Sequence, residues 1–221
     1  MKLTPIKLLS FFIFFYSSST MAQQREFSVG VKGGLGIPIC SETPTAYGQG
    51  QTYPLRAYLY VKGGMVVQYI LGDVIGIETG ILSTATSFYN SNSGGIDINS
   101  FQIPFQLMYL IKFRTHPNMR IKMTGGIAMD WLTVTSTSKV NKFLFVPSFL
   151  VGARIKTRTG RYGHMEYGFE YQYPINGIDK FELKSDPRLS TLHAKYSIIT
   201  FNLHYFFFSK ERFKNPPSAS I

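Results

Sequence analysis

A serine, a histidine and a carboxylate in the second half of the chain have the types that acyl hydrolysis needs. His164 and Glu166 share one face of an alternating stretch, and Ser148 faces the same way on the stretch before it. A histidine oriented by a carboxylate can activate a serine for attack on an ester carbonyl. The sequence therefore leaves a lipid-modifying barrel enzyme open as an alternative. A polar interior uses the same residue types, and we predict no catalytic residues.

The other histidines and acidic clusters do not indicate a metal centre. His116, His193 and His204 lack the spacing to a carboxylate that is typical of metal sites. Three acidic residues of a late segment could gather a calcium ion; they are Asp179, Glu182 and Asp186. A solvated acidic loop is the commoner outcome for such residues. We predict neither a metal nor a cofactor.

Apolar side chains fall on every second position in eight separate stretches. The clearest runs from Phe101 to Phe113, where the polar residues Gln102, Gln106 and Lys112 lie between apolar neighbours. A period of two places one set of side chains on one face of a β-strand. We therefore predict strands at Phe27–Ile37, Ala57–Tyr69, Val74–Ser87, Ser100–Phe113, Arg120–Thr135, Phe143–Thr157, His164–Ile175 and Tyr196–Phe208.

The connections between these strands alternate in length. Those after the first, third and seventh strands are long or rich in Asn, Ser, Gly and Pro, whereas those after the second, fourth and sixth are tight. The fifth connection, at residues 136–142, is intermediate. Long loops outside and short turns inside are typical of a barrel whose chain termini lie in the periplasm. The predicted fold class is all-β, an eight-stranded antiparallel up-and-down transmembrane β-barrel.

The bulky face of each strand must point out of such a barrel. The seventh strand carries Tyr167, Phe169 and Tyr171 on one face, and small or charged residues such as Gly168 and Glu170 on the other. An eight-stranded interior is just wide enough for side chains to fill it, so it cannot hold many such aromatic rows. The aromatic face is therefore predicted to contact lipid. A soluble barrel around an apolar ligand is the alternative in which these rings point inward.

Charged residues of both signs fall on the predicted inner face. Buried charges must be paired, because an unpaired one costs several kcal/mol. We predict a structural network of ion pairs that fills the lumen, with a narrow ion path or a polar pocket as the alternative. Its members are Lys32, Lys62, Glu78, Lys122, Asp130, Arg154, Glu166 and Glu170.

Aromatic residues cluster near the predicted strand ends. Rings of this kind form girdles at the two water–lipid interfaces of membrane barrels. The β-propensity of aromatic residues is the alternative explanation, although it would scatter them along the strands. The predicted interfacial aromatics are Tyr89, Trp131, Phe145, Tyr171, Tyr173, Phe206 and Phe208.

The N-terminus is typical of a secretory signal peptide. Lys2 and Lys7 accompany an apolar run, and Thr20-Met21-Ala22 offers small residues for cleavage. An uncleaved anchor would need about 20 consecutive apolar residues, and the polar run Ser17–Thr20 interrupts this one. We predict a signal peptide at residues 1–22, an outer-membrane barrel domain at 23–208 and a basic periplasmic tail at 209–221.

The net charge indicates the class of partner, and the cysteine content shows whether disulfides can form. The net charge is +11, and the lone cysteine, Cys40, excludes an intrachain disulfide framework. An exported protein rarely meets nucleic acid, so anionic lipid headgroups are the more natural partner for exposed Lys and Arg. We predict outer-membrane lipid as a partner and no nucleic acid.

Three segments resemble the PorT-like outer-membrane β-barrel family of Gram-negative bacteria. They are Phe27–Leu35, Phe101–Tyr109 and Phe201–Phe206, and the pair Gly125-Gly126 is also typical of the family. The resemblance implies insertion by the barrel assembly machinery, which recognises a last strand ending in an aromatic residue. The family's namesake belongs to a type IX secretion apparatus, so a secretion-complex protein is an alternative partner.

The function predicted from the sequence is that of a small outer-membrane barrel protein with a structural or interaction role and no catalysis. The first alternative is a component of a type IX secretion or transport complex. The second is the lipid-modifying enzyme described above.

Overall fold

The structure is a computed structural model of the chain. It describes residues 25–40, 45–48, 51–71, 74–90, 94–112, 119–136, 139–158, 163–175, 178–182, 191–194 and 196–211. The predicted signal peptide at residues 1–22 lies outside these ranges.

Eight long strands close into one antiparallel barrel. Each strand pairs with its neighbour along the chain among the eight, and the first pairs with the last. This up-and-down order confirms the predicted fold class. The barrel strands are β1 (Arg25–Cys40), β4 (Arg56–Leu71), β5 (Ile75–Asn90), β6 (Gly94–Lys112), β7 (Met119–Ser136), β8 (Lys139–Arg158), β9 (His164–Pro174) and β12 (Tyr196–Glu211).

Several strands are longer than the alternation predicted. The segment 136–142 was predicted as a connection, but β7 continues to Ser136 and β8 begins at Lys139. The last strand continues to Glu211 because Ser209, Lys210 and Glu211 pair with the start of β1. The barrel therefore extends into the predicted tail, and residues 212–221 lie outside the described ranges.

The two ends of the barrel differ. We call the end with the short β4–β5, β6–β7 and β8–β9 connections the turn end; it also holds the start of β1 and the end of β12. The opposite end, where β1 leads on to β4 and β9 leads on to β12, is the loop end. At the loop end the chain forms a second sheet of four short strands.

We call this second sheet the lid sheet. Its strands are β2 (Thr45–Gly48), β3 (Gln51–Pro54), β10 (Ile178–Glu182) and β11 (Thr191–Ala194). β2 and β11 pair directly, with Ala46 opposite Leu192. The first and last loops are thus hydrogen-bonded to each other, a pairing that the alternation of the sequence does not predict.

Exposure alternates along each barrel strand. On β6, Phe101, Phe105 and Leu107 are exposed, whereas Gln102 and Gln106 are buried in the lumen. Phe169 on β9 is 61% exposed, which is typical of the outward face. Among the described residues there is no helix long and apolar enough to cross a membrane.

Glycine is required where the barrel wall is crowded from inside. A Cβ atom added at Gly30 would lie 2.8 Å from both Cα and Cδ1 of Phe206 on the neighbouring strand. At Gly33, on the outer face, no atom lies within 4 Å of the added Cβ. The strand β1 therefore uses glycine inside to admit bulky neighbours, while its outer glycine has open space.

On β6 the polarity of the two faces inverts toward the loop end. Beyond Phe101 the next outward positions on β6 are the exposed polar residues Asn99 and Asp97, while Ile98 and Ile96 are buried inside. A membrane span needs an apolar outer face, whereas an aqueous domain needs an apolar core. The inversion therefore marks a boundary between two environments.

The buried apolar residues beyond this boundary form one cluster, which we call the apolar plug. Barrel strands supply most of it, and Ala46 and Ala194 of the lid sheet complete it. Its members are Ala46, Leu55, Phe88, Ile96, Ile98, Leu132, Val134, Val146 and Ala194.

Candidate functional site: the charged lumen

The turn end of the lumen begins with one ion pair. Lys156 Nζ, from β8, donates to Glu26 Oε1 on β1, and both side chains are nearly inaccessible to solvent. The His164 ring lies beside them, with its Nε2 3.2 Å from Oε1 of Glu166. These groups connect the mouth of the lumen to the charges deeper inside.

The next layer joins Lys122 of β7 to β9 and β4. Lys122 Nζ donates to Glu166 Oε1, and it donates a second hydrogen bond of 2.8 Å to Gln68 Oε1. The same glutamine donates from Nε2 to Glu78 at 2.7 Å and to Glu166 at 3.1 Å. Gln68 therefore bridges two carboxylates and one ammonium group.

Arg154 joins the middle layers of the lumen. Its Nη1 donates to Glu78 Oε2 at 2.6 Å, and its Nη2 donates to Gln106 Oε1 at 2.8 Å. The same Nη2 lies 3.2 Å from Glu170 Oε2. A guanidinium has several donors in a fixed plane, so one arginine can bind groups from three strands at once.

Glu170 accepts hydrogen bonds from two further lysines. Lys32 Nζ donates to its Oε2 at 3.0 Å, and Lys62 Nζ donates to its Oε1. Gln106 Nε2 donates to the same carboxylate at 3.0 Å. We call the ion-paired residues of the lumen the charge network; they are Glu26, Lys32, Lys62, Glu78, Lys122, Arg154, Lys156, Glu166 and Glu170.

Asp130 lies apart, toward the loop end. Its oxygens accept hydrogen bonds from Gln102 Nε2 at 2.6 Å, Ser148 Oγ at 2.8 Å and Gln172 Nε2 at 2.9 Å. In the described part of the chain no ion pair is formed by Asp130. It borders a cavity of about 30 Å³ that Tyr60 also lines, between the charge network and the apolar plug.

The described lumen charges balance. Five cations are buried there, namely Lys32, Lys62, Lys122, Arg154 and Lys156. Five carboxylates are buried with them, namely Glu26, Glu78, Asp130, Glu166 and Glu170. Removing one member of a buried pair leaves its partner uncompensated and typically costs about 3–5 kcal/mol. The interior is thus a connected structural unit rather than a set of independent contacts.

Comparison with known proteins agrees with this architecture. No family model matches the chain, and no curated protein matches it in sequence. Solved structures do match. The outer membrane protein OprG from Pseudomonas aeruginosa aligns with a TM-score of 0.58 and 9% identity, over 86% of this chain and 97% of OprG. Neisserial surface protein A aligns with a TM-score of 0.50 and 11% identity, over 82% of this chain and 99% of that protein.

At these identities the likeness shows the fold alone. The chain has the fold of the small eight-stranded barrels found among outer-membrane proteins.

All eight residues assigned to the lumen from the sequence are buried. Seven of them contact one another directly or through a shared partner, and Asp130 is the one held separately by uncharged donors. The predicted network did not include Glu26 or the bridging glutamines Gln68 and Gln106. Their positions in the alternation could have identified them, since all three fall on the inner face.

The aromatic residues assigned to the interfaces do not all lie in the same environment. Phe101, Trp131 and Phe145 form a row across three strands, with ring centroids 5.9 and 5.5 Å apart. This row lies where the polarity inverts. Tyr89, Phe145, Tyr171 and Tyr173 have exposed side chains. The side chain of Phe208 lies outside what the structure describes.

The assignment of Phe206 to an interface is wrong. Phe206 is 0% exposed and points into the lumen, where its ring stacks on His164 at a centroid distance of 4.4 Å. The register of β1 and β12 shifts at this level, so that Val29 pairs with Phe208 while Gly30 pairs with Phe206. Gly30 leaves the space that the inward ring occupies.

The Ser–His–Glu arrangement that the sequence left open as an alternative is not assembled. Ser148 pairs with Pro174, which is ten positions along β9 from His164. At about 3.3 Å per residue this separation is roughly 33 Å along the strand. Ser148 instead donates to Asp130, and His164 contacts Glu166 at the other end of the lumen.

One cluster of metal-ligand types does form. Ligand atoms of Glu78, Glu166 and His204 lie within 4.8 Å of one another, and among the described residues neither His204 ring nitrogen has a hydrogen-bond partner. Lys122 and Arg154 already bind these carboxylates. A divalent cation would add two uncompensated charges to a balanced, buried interior, so we assign no metal. Of the acidic residues considered for calcium, Asp179 and Glu182 have no described side chains, and Asp186 lies outside the described ranges.

Proposed function

We propose that the protein is a sealed transmembrane barrel of the outer membrane with a structural or interaction role and no catalysis. The observation that carries the proposal is the contrast between its two faces. The outer face presents large exposed apolar side chains, whereas the inner face is filled by balanced charges.

The outer face supports a membrane location. Phe105 is 51% exposed and Leu107 is 60% exposed, and similar residues occupy the outward positions of the other barrel strands. A soluble protein rarely exposes so continuous an apolar surface, because its contact with water is unfavourable. From Phe101 to Ile111 the exposed apolar stretch of β6 matches the ~9–11 tilted residues that cross a bilayer.

The inner face supports a closed rather than conducting barrel. Arg154 of β8 reaches Glu78 of β5, and Lys62 of β4 reaches Glu170 of β9, so ion pairs cross the lumen. Toward the loop end the apolar plug and the lid sheet follow. An ion could pass only if several buried pairs separated, and each separation costs several kcal/mol.

The route to the membrane is part of the proposal. It comprises export with cleavage after Ala22, insertion by the barrel assembly machinery through the aromatic segment Tyr205–Phe208 of β12, and contact with outer-membrane lipid. Membership of the PorT-like family is proposed on the three segments that resemble it, which fall in β1, β6 and β12.

A role as a component of a type IX secretion or transport complex is the alternative. The lid sheet favours a role that involves a partner protein, because it presents folded backbone rather than short turns at the loop end. Recovery of a large partner with the barrel from mild detergent would support this alternative.

The proposed function is tested by cell fractionation, heat-modifiable gel mobility and planar-bilayer conductance. We expect the protein in the outer-membrane fraction, a faster-migrating folded form that disappears on boiling, and no conductance steps. A variant of the charge network, Arg154→Ala combined with Glu170→Ala, serves as the comparison in which conductance can arise. Recovery in the soluble fraction with unchanged mobility would contradict the membrane location, and steady conductance of the unaltered barrel would contradict the seal.

A further inference from the structure

The cavity beside Asp130 is lined mainly by oxygen-bearing polar groups. It has a volume of about 30 Å³ and lies between the charge network and the apolar plug. Apart from Gln172, its polar side chains carry carboxylate or hydroxyl groups, and the amide nitrogen of Gln172 already donates to Asp130 and Ser148. Of the described residues that line the cavity, none is basic. The cavity is therefore a region of electron-rich oxygen atoms.

Two of these oxygen-bearing side chains are incompletely satisfied. Asp130 is 3% exposed, and among the described residues its carboxylate accepts hydrogen bonds from uncharged groups alone. Thr86 is 4% exposed, and its hydroxyl has no hydrogen-bond partner in the described part of the chain. A buried polar group without a partner is unfavourable, and a buried carboxylate is stabilised by a cation in contact with it. Both side chains line the same small space.

We infer that this cavity binds one compact monovalent cation (sodium, potassium or ammonium), with Asp130 as its principal ligand and Thr86 as a second. Carboxylate and hydroxyl oxygens are the ligands that hard cations prefer. A cavity needs about 10–15 Å³ to hold one water molecule, and these ions are close to water in size or smaller. The inference goes beyond the proposed function, because a structural barrel does not require an ion.

The charge of the lumen favours a monovalent ion over a divalent one. The charge network holds five basic residues and four glutamates, and Asp130 supplies the fifth negative charge without forming an ion pair in the described part of the chain. A monovalent ion leaves one surplus positive charge in the lumen, whereas a divalent ion leaves two. We therefore expect weak binding that depends on the concentration of the ion in the medium.

The ion has a route to this cavity from the loop end. Ala194 of the lid sheet and Leu132 of the apolar plug line the cavity, and the charge network lies on its other side. Opening of the lid sheet would admit an ion without separating any pair of the charge network. Binding is therefore compatible with a barrel that does not conduct.

The test is the melting temperature of the folded full-length barrel in an uncharged detergent, followed by the fluorescence of Trp131, the chain's only tryptophan. It is measured in the chloride salts of sodium, potassium, ammonium and N-methylglucamine. The last ion is too large for the cavity, and a constant ionic strength of about 0.1 M keeps the screening of surface charges equal.

Two variants remove the ligands, and each has a matched control. Asp130→Asn removes the carboxylate charge, and Thr86→Val removes the hydroxyl while leaving Asp130 in place. The controls are Asp97→Asn and Thr133→Val, which make the same replacements at outward positions near the loop end. Heat-modifiable mobility verifies that each variant folds.

We expect at least one of the three small cations to raise the melting temperature by about 3 °C or more relative to N-methylglucamine, as for an ion at about ten times its dissociation constant. The order of the three salts identifies the preferred ion. Asp130→Asn should abolish the difference, Thr86→Val should reduce it, and both controls should keep it. If Asp130→Asn does not fold, the comparison of Thr86→Val with Thr133→Val decides.

Equal melting temperatures of the unaltered barrel in all four salts would show that the cavity holds water alone, and they would overturn the inference. A difference that survives undiminished in either ligand variant would place the ion elsewhere and also overturn it, as would an equal loss in the controls. Heat-modifiable mobility would persist in each of these cases, so the proposed barrel function would stand.

Discussion

Arg154 crosses the lumen to donate from Nη1 to Oε2 of Glu78 at 2.6 Å. The two residues lie on β8 and β5, which are separated by β7 and β6 around the barrel wall. A single contact therefore connects walls that share no backbone hydrogen bonds. Since Arg154 also reaches Glu170 and Gln106, its side chain links three strands besides its own.

Replacing Arg154 with Met should destabilise the barrel by about 3–5 kcal/mol, because buried carboxylates lose their guanidinium. The measurement is urea unfolding in lipid vesicles, with the change in tryptophan fluorescence as the signal. Arg56→Met is the control, since Arg56 is exposed at the loop end and its loss should alter the free energy of unfolding by about 0.5 kcal/mol or less. Equal midpoints for the two variants would show that the crossing contacts add little.

Gly30 and Gly33 give a second, steric prediction from one strand. Alanine at position 30 would place its Cβ 2.8 Å from the Phe206 backbone, whereas alanine at position 33 would meet no atom within 4 Å. Gly30→Ala should therefore cost about 1–3 kcal/mol through overpacking, and Gly33→Ala should be close to neutral. Unfolding midpoints in vesicles check this, and an unaffected Gly30→Ala variant would contradict the close approach of β12 to β1 at Gly30.

Alternation predicted the inner and outer faces well because a strand has a fixed period of two. It placed Arg154, Glu166 and Glu170 on the lumen face, where the structure has them buried. Alternation does not show, however, at which level along the barrel axis a residue lies. Ser148 and His164 share the lumen face but lie at different ends of it, since their separation is set by the β8–β9 register.

The inward direction of Phe206 continues the alternation of Asn202 and His204, which are also buried, whereas its assignment to an interface followed the aromatic run. The lid sheet, in contrast, needed a pairing that no local pattern contains. The lid sheet joins Ala46 to Leu192, two short segments that are distant in sequence. Both connections are rich in turn-forming residues, so their composition did not predict the short strands within them. Local propensity is a weak guide when a strand is stabilised chiefly by its distant partner.

The polarity inversion on β6 predicts where the membrane ends. Phe105 and Asn99 are both exposed on the outer face, six residues apart on one strand. Phe105→Arg should cost about 2–4 kcal/mol, as expected for a charge near the bilayer midplane, whereas Asn99→Arg should cost about 0–1 kcal/mol. Folding free energies in vesicles distinguish them. A similar loss of folding free energy at both positions would show that the membrane boundary does not lie at the Phe101–Trp131 row.

The lid sheet should control access to Cys40, which packs against the apolar plug and is the chain's only cysteine. Val134 is wholly buried in that plug, whereas Thr133 points the other way on the same strand. Val134→Asp buries a carboxylate among apolar groups, and this should open the lid sheet, because an unpaired buried charge is very unfavourable. Maleimide labelling of Cys40 should then accelerate by about tenfold or more, the change expected from about 1.4 kcal/mol of lost local stability.

Thr133→Asp is the matched control and should leave the rate unchanged. If both variants label at the rate of the unaltered protein, the plug does not hold the lid sheet closed; if both accelerate equally, the effect is one of added charge rather than of packing.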